Sequence, residues 1–374
     1  MLQVRRRWLL ALLSLVVAPL APAAEPLDEK SATEANGVMY YDILKLGVEG
    51  KAFADTKLPY DRLPGRAEGV VRPPVWSLSR DSAGMAVRFV TDAPAIHARW
   101  SLTKAGLAMP HMAATGVSGL DLYVRTDSGT WHWLAVGKPA AQNTTATLVG
   151  NLPAGKREYL LYLPLYNGVS KVEIGLPKGR SLWQADPRPA ARQKPIVFYG
   201  TSITHGACAS RPGMCHPAIL GRRFDRPVVN LGFSGNGTMD AEVGALLTEI
   251  DAAVYVIDCL PNMDAKTVAA KAEPLVRQLR KARPNVPIVL VEDRTYADAF
   301  LLKAKADRSA ASRAELKKAY DKLVAEGITG LHYLEGTKLL GEDGDDTVDS
   351  SHPTDLGFMR QADAMDVVLR PILK

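Results

Sequence analysis

The sequence predicts a β-sandwich followed by an α/β unit built on a parallel sheet. Three observations carry this. Residues 70–176 are short apolar runs with period-two alternation, separated by turn residues at regular spacing. Residues 182–195, LWQADPRPAARQKP, break that pattern with prolines and charges. Beyond them, strand-like runs alternate with helical stretches, which implies right-handed crossovers and helices on both faces of the sheet.

The chain begins MLQVRRRWLLALLSLVVAPLAPAAE. Arg5, Arg6 and Arg7 precede an apolar run that ends near Leu20, and Ala21, Pro22 and Ala23 follow. This reads as a secretory signal cleaved near Ala23 or Ala24. The run is short of the roughly 20 residues a spanning helix needs, which disfavours an uncleaved anchor. Residues 1–24 are therefore expected to be a signal peptide and the mature protein to be exported, periplasmic or secreted, with no membrane span. With 374 residues, 47% hydrophobic and 23% charged, the chain can bury a sizeable core, and its length favours two domains. The net charge is +6, which falls to +3 without the three signal arginines. The remaining basic residues are scattered among acids, so no nucleic-acid partner is expected.

In the first unit, placed at 25–185, the strand candidates are VWSLS, GMAVRFV, AIHARWSL, GLDLYVR, TWHWLAVG, REYLLYLPLY and KVEIGL. Trp131 and Trp133 share one face of a strand. A sugar-stacking platform is conceivable there, but packing in the sandwich interior is the expectation, because large aromatics dominate such cores.

In the second unit, 186–374, the strands are PIVFYG, PVVNLG, AVYVIDC, VPIVLVED and TGLHYLEG, and helices are expected over 218–224, 239–250, 265–282, 309–326 and 353–373. Parallel sheets of this kind place working residues at the carboxyl ends of their strands. Those ends read GTS, NLGFSGNG, DCLPN and VEDRTY, and DSSHPTDLGF precedes the last helix.

A serine hydroxyl becomes a useful nucleophile when a base removes its proton. Ser202 at the end of the first strand is the candidate nucleophile and His352 the base, with Asp349 three residues earlier able to hold the other imidazole nitrogen. His205 is the rival base, but no acid lies close to it in sequence. Gly235 can offer an unshielded backbone N–H, and Asn262 a side-chain amide, to a developing oxyanion. Each has a plainer reading: Ser202 or Asn262 as a helix cap, Gly235 as a tight turn, DSSHP as a capping loop. The lipase elbow G-x-S-x-G is absent, since the chain reads GTSIT.

Taken jointly, YGTSITHGA, NLGFSGNG, DCLPN and DSSHP resemble the four blocks of the SGNH, or GDSL, hydrolases. Thr201 and LPN depart from the commonest family pattern; both suit a subgroup with an N-terminal β-domain bearing G-x-D-L-Y, and GLDLY stands at 119–123. The resemblance implies a flavodoxin-like five-stranded sheet of order 2-1-3-4-5. It also implies a Ser202, Asp349 and His352 triad, and an oxyanion hole from the Ser202 and Gly235 N–H groups and Asn262.

Glu292, Asp293, Arg294 and Tyr296 follow the fourth strand and are candidates for holding substrate hydroxyls, although an Arg294 ion pair bracing the loop is an equal reading. The acidic GEDGDDTVD, 341–349, lacks full calcium-loop spacing and reads as a solvated loop. Cys208, Cys215 and Cys259 leave open a 208–215 bridge, a 208–259 bridge or three free thiols. The expected activity is that of a serine esterase needing no metal or organic cofactor, acting on a small-molecule or polysaccharide ester. Removal of O-acetyl groups from a carbohydrate is the leading substrate reading. A lipid or short-chain acyl esterase or thioesterase is the alternative, and a carbohydrate-binding protein with a degenerate hydrolase unit stands in another class.

Overall fold

The computed structural model describes residues 25–374; the expected signal peptide lies outside the described residues. Two antiparallel sheets face each other in the N-terminal half. One runs in the order Thr33–Ala35, Val38–Asp42, Val169–Pro177, Ile96–Leu102, Asn143–Val149. The other runs Leu182–Gln184, Ala86–Thr91, Arg157–Tyr162, Leu120–Arg125, Trp131–Gly137, with Val48–Glu49 beside Ala86–Thr91. Their shared core takes Tyr41, Ala98, Trp100 and Ile174 from the first and Val87, Phe89, Leu120, Leu122 and Leu161 from the second.

The inner strands of the second sheet are buried on both faces. Leu120 and Leu122 point into the sandwich, while Tyr123, Leu160 and Tyr162 on the opposite face pack with Ala218 and Ile219 of the C-terminal unit. A strand buried on both sides reads as a continuous apolar run, which is why YLLYL lacks alternation.

The C-terminal sheet is parallel and five-stranded, in the order Val228–Gly232, Ile196–Gly200, Val254–Asp258, Ile288–Val291, Leu331–Leu334, which is 2-1-3-4-5 as the resemblance implies. Val197 and Tyr199 face helices Ala241–Glu249, Ala265–Ala282 and Lys303–Ala325. Ile196 and Phe198 face helices His216–Phe224 and Asp355–Ile372. Residues 53–75, N-terminal in sequence, also pack on this unit: Phe53, Leu63, Val71 and Val75 join the core under the first face.

Three expectations change. VWSLS is part of helix Pro73–Ser79, not a strand, because Pro73 and Pro74 open a helical first turn where a missing N–H costs nothing. Trp131 and Trp133 are not in the sandwich interior. A bulge after Trp133 leaves Ala135 facing inward, while Trp131 packs toward the C-terminal unit and Trp133 is 49% exposed. In the acidic segment, Asp346 is buried and pairs with Arg360 at 3.0 Å, so it is not simply solvated. The three cysteines are buried and free, and burial pushes the Cys208 and Cys215 thiols up to about 12 and about 11. No described helix is long and apolar enough to cross a membrane.

Candidate active site

The first parallel strand ends at Gly200, Thr201 caps the next turn by accepting from the Ile203 N–H at 3.3 Å, and Ser202 opens the short helix Ser202–His205. Being first in a helix, the Ser202 N–H has no acceptor within that helix. The turn is tight. A Cβ on Gly237 would stand 2.0 Å from the Gly200 carbonyl oxygen, so only glycine lets the second block close over the first.

Ser202 Oγ lies 2.8 Å from His352 Nε2, and His352 Nδ1 lies 2.7 Å from Asp349 Oδ2. The other carboxylate oxygen of Asp349 accepts the His352 and Ser351 backbone N–H groups at 2.8 and 3.2 Å. Partial burial pushes this carboxyl up, but those N–H groups and the imidazole outweigh it and hold Asp349 below the usual carboxylate range. The loop is fastened at its base, where Val348 N donates to His352 O at 2.8 Å and Thr354 N to Asp346 O at 2.9 Å.

Gly235 has φ +67°, a left-handed conformation natural to glycine, and a Cβ there would meet nothing within 4 Å. Its N–H has no acceptor among the described residues. Asn262 is not the cap of the following helix: Asp264 is, accepting from Thr267 N at 2.8 Å. Instead Asn262 Oδ1 accepts the Gly237 N–H at 3.3 Å, and Nδ2 has no acceptor among the described residues. Three donors, from Ser202, Gly235 and Asn262, are therefore without an acceptor among the described residues, each on a segment that follows a strand of the parallel sheet. Such an arrangement can move the Ser202 proton to His352 while donors stabilise an oxyanion.

His205 faces away from this chemistry. It is fully buried, stacks on Tyr166 at 4.0 Å and donates from Nε2 to Leu165 O at 2.7 Å. Burial, with Arg62 adding to it, pushes its imidazole well below the ordinary value.

Two of the expected substrate-binding residues are spent inside the fold. Glu292 is buried and accepts from the Gly336 N–H at 2.8 Å and the Tyr333 hydroxyl at 2.6 Å. Arg294 forms a buried fork on Asp258, both arms at 2.7 Å, with Gln361 at 2.8 Å. The contacts of Arg294 fit the bracing reading, and Glu292, for which substrate contact was the expectation, has both carboxylate oxygens accepting inside the fold. Tyr296 is half-buried and its hydroxyl accepts from Arg308 at 2.7 Å.

Sequence reasoning passed over Asp258, although an acid at a strand end was in view, because its partner Arg294 lies in the segment after another strand. It also passed over Tyr166, which donates to the Ser202 carbonyl oxygen at 3.2 Å from the sandwich side. Asp121 of GLDLY is fully buried on the outer face of its strand and accepts from Trp133 Nε1, Arg211 and the Gly213 N–H at 3.0, 2.9 and 2.8 Å. It fastens the sandwich to the segment that follows the nucleophile turn.

Residues 193–370 match the model of the GDSL-like lipase/acylhydrolase family, and residues 38–182 match the N-terminal GxDLY domain of SGNH-hydrolase-type esterases. A crystal structure from Bacteroides ovatus ATCC 8483, described as a GDSL-like lipase, is 32% identical. The match covers 90% of this chain and 98% of that one with a TM-score of 0.85.

This chain belongs to the GDSL-like hydrolase family.

The membership supports esterase activity. More distant solved structures share the fold of this GDSL-like hydrolase. Salicylyl-acyltransferase SsfX3 from a tetracycline biosynthetic pathway is 20% identical, over 95% of this chain and 96% of that one, with a TM-score of 0.64. A family two carbohydrate esterase from Cellvibrio japonicus is 16% identical, over 78% and 89%, with a TM-score of 0.56. One from Clostridium thermocellum, solved with cellohexaose, is 15% identical, over 77% and 92%, with a TM-score of 0.54. A search of curated protein sequences finds no match.

Proposed function

We propose that this protein is an exported serine esterase that removes O-acetyl groups from a carbohydrate. The observation that carries the mechanism is the Ser202 Oγ to His352 Nε2 distance of 2.8 Å with Asp349 behind the imidazole. Ser202 attacks the ester carbonyl as His352 takes its proton, and the tetrahedral oxyanion is held by the Ser202 and Gly235 N–H groups and the Asn262 amide. Collapse expels the alcohol, which receives the proton from His352. Water then enters, loses a proton to His352 and releases the acid from Ser202. Asp349 keeps the imidazole in the tautomer that accepts on Nε2.

Support for the carbohydrate is analogy of fold with the two family two carbohydrate esterases, one of them seen with cellohexaose. Support for export is the stretch from Arg5 to Ala24. N-terminal sequencing of the mature protein from a periplasmic or culture fraction checks it; a retained Met1 there would refute cleavage.

Ser202→Ala should abolish p-nitrophenyl acetate turnover with an unchanged circular dichroism spectrum, and phenylmethylsulfonyl fluoride should label Ser202 in a peptide map. An active variant, or a label elsewhere, rejects the nucleophile. Acetate release from acetylated glycans, compared with simple esters, tests the substrate. Preference for simple esters over every acetylated glycan would favour the short-chain esterase reading. A second reading, acyl transfer to an alcohol, draws on the likeness to SsfX3 along most of the chain; an added alcohol acceptor that diverts acetate into a new ester would support it.

A further inference from the structure

Residues 103–118 leave the sandwich strand Ile96–Leu102, cross to the C-terminal unit and return to Leu120–Arg125. They dock on the stretch just past the nucleophile turn. Met112 is buried with Cys208 and Ala209. Thr115 Oγ1 donates to Ser210 O at 2.6 Å. A Cβ on Gly116 would stand 2.2 Å from the Ala209 carbonyl oxygen, so the two backbones touch. Met109 and Met112 exchange backbone hydrogen bonds at 3.1 Å each, closing a tight turn that presents His111. His111 is exposed, its ring centroid lies 6.1 Å from that of His352 at an interplanar angle of 53°, and its ring nitrogens have no hydrogen-bond partner among the described residues.

We infer that His111, supplied by the sandwich, lines the leaving-group side of the site and binds a hydroxyl of the alcohol portion of the ester. This rests on the proposed roles of Ser202 and His352. His352 must protonate the departing oxygen, so the alcohol lies on the His352 side of the carbonyl, and a side chain beside that ring meets the alcohol before it meets the acyl group. A neutral imidazole offers one donor and one acceptor, which matches the hydroxyls of a sugar or polyol and finds nothing on a simple alkyl group. The docking contacts hold the turn in place, so the imidazole is positioned before substrate arrives.

The test compares kcat/KM for ethyl acetate, glycerol monoacetate and a monoacetylated pyranoside in wild type, His111→Ala and His111→Gln. In His111→Ala the preference for the hydroxylated acetates over ethyl acetate should fall about threefold to tenfold, the worth of one hydrogen bond. His111→Gln, which keeps a donor and an acceptor, should recover part of it. An unchanged preference, or an equal loss on all three esters, overturns the inference. Ser202→Ala is run alongside: if it stays active, the underlying site reading fails, whereas an inactive Ser202→Ala with an unchanged His111→Ala preference refutes His111 alone.

Discussion

Asp121→Asn is a sharp probe of how the two halves are joined. The carboxylate gives one oxygen to Trp133 Nε1 and the other to Arg211 and the Gly213 N–H. An amide has only one acceptor oxygen. Turned to keep Arg211 and Gly213, it points its NH₂ at the indole N–H; turned the other way, it orphans two donors, one of them the buried Gly213 N–H. The first orientation prevails. Trp133 is half exposed and its N–H can turn to water, so that loss is about 1 kcal/mol. A neutral acceptor roughly halves the bond to Arg211, about another 1 kcal/mol. The sum is about 2 kcal/mol for Asn. Ala loses all three acceptor contacts and leaves Arg211 without its carboxylate, about 4 kcal/mol. Burial pushes the Asp121 carboxyl up despite Arg211, which limits what the charge alone contributes and keeps Asn well short of Ala. Equilibrium urea unfolding measures both. An Asn variant within 0.5 kcal/mol of wild type, roughly the noise of a surface substitution, would refute the latch, as would one as damaged as Ala.

Asn262→Ala should lower kcat by about 10²–10³ with little change in KM, and an unaltered kcat would remove its amide from the oxyanion site. Asp349→Asn should cost less than the roughly 10⁴-fold typical of a buried triad carboxylate, because its side chain is 44% exposed and water can share its role; steady-state kinetics with p-nitrophenyl acetate decides. Arg294→Ala strands the buried Asp258 and should cost about 3–5 kcal/mol in urea unfolding, whereas a rise in KM without loss of stability would restore substrate contact. Burial, reinforced by Arg294, pushes His216 well below its ordinary value; between Phe198 and Phe358 neither ring nitrogen has a hydrogen-bond partner among the described residues, and the Asp258 carboxylate, already paired with Arg294, stands 3.9 Å from Nε2. Below about pH 6.5 the unfolded chain binds a proton that native His216 does not, so stability rises with pH there, by about 1.4 kcal/mol per unit for each such histidine, and levels off above. Asp293, raised by burial to about 6, acts with the opposite sign from about pH 6 down to its ordinary value near 4, because the native state then holds the extra proton. His216→Phe should remove its share of the fall between pH 6.5 and 5.5; an unchanged slope in urea midpoints would contradict this.

The parallel sheet was legible because its signals are local. Helix Ala265–Ala282 matches the stretch expected from sequence, since its apolar spacing is a short-range feature, although its cap is Asp264 and not Asn262. The strand ends were legible for the same reason: the polar inserts after PIVFYG, PVVNLG and AVYVIDC stand out against buried runs. GLDLY marked a feature whose work the text could not show. Alternation sends Leu120 and Leu122 into the sandwich and Asp121 and Tyr123 toward the other unit, but only coordinates reveal what waits there.

By itself, then, the sequence determined the layer architecture and, through the resemblance, the strand order and the candidates Ser202, Gly235, Asn262, Asp349 and His352. The architecture follows from periodicity and turn chemistry, which act over a few residues, whereas the strand order and the candidate site rest on the four blocks that carry the resemblance. Tertiary structure alone decided that Arg294 answers Asp258, that a bulge turns Trp133 outward, that the cysteines stay free and that His111 stands beside His352. Each of these depends on groups far apart in the chain, and their meeting is set by how buried charges, bulges and packed backbones are reconciled in three dimensions.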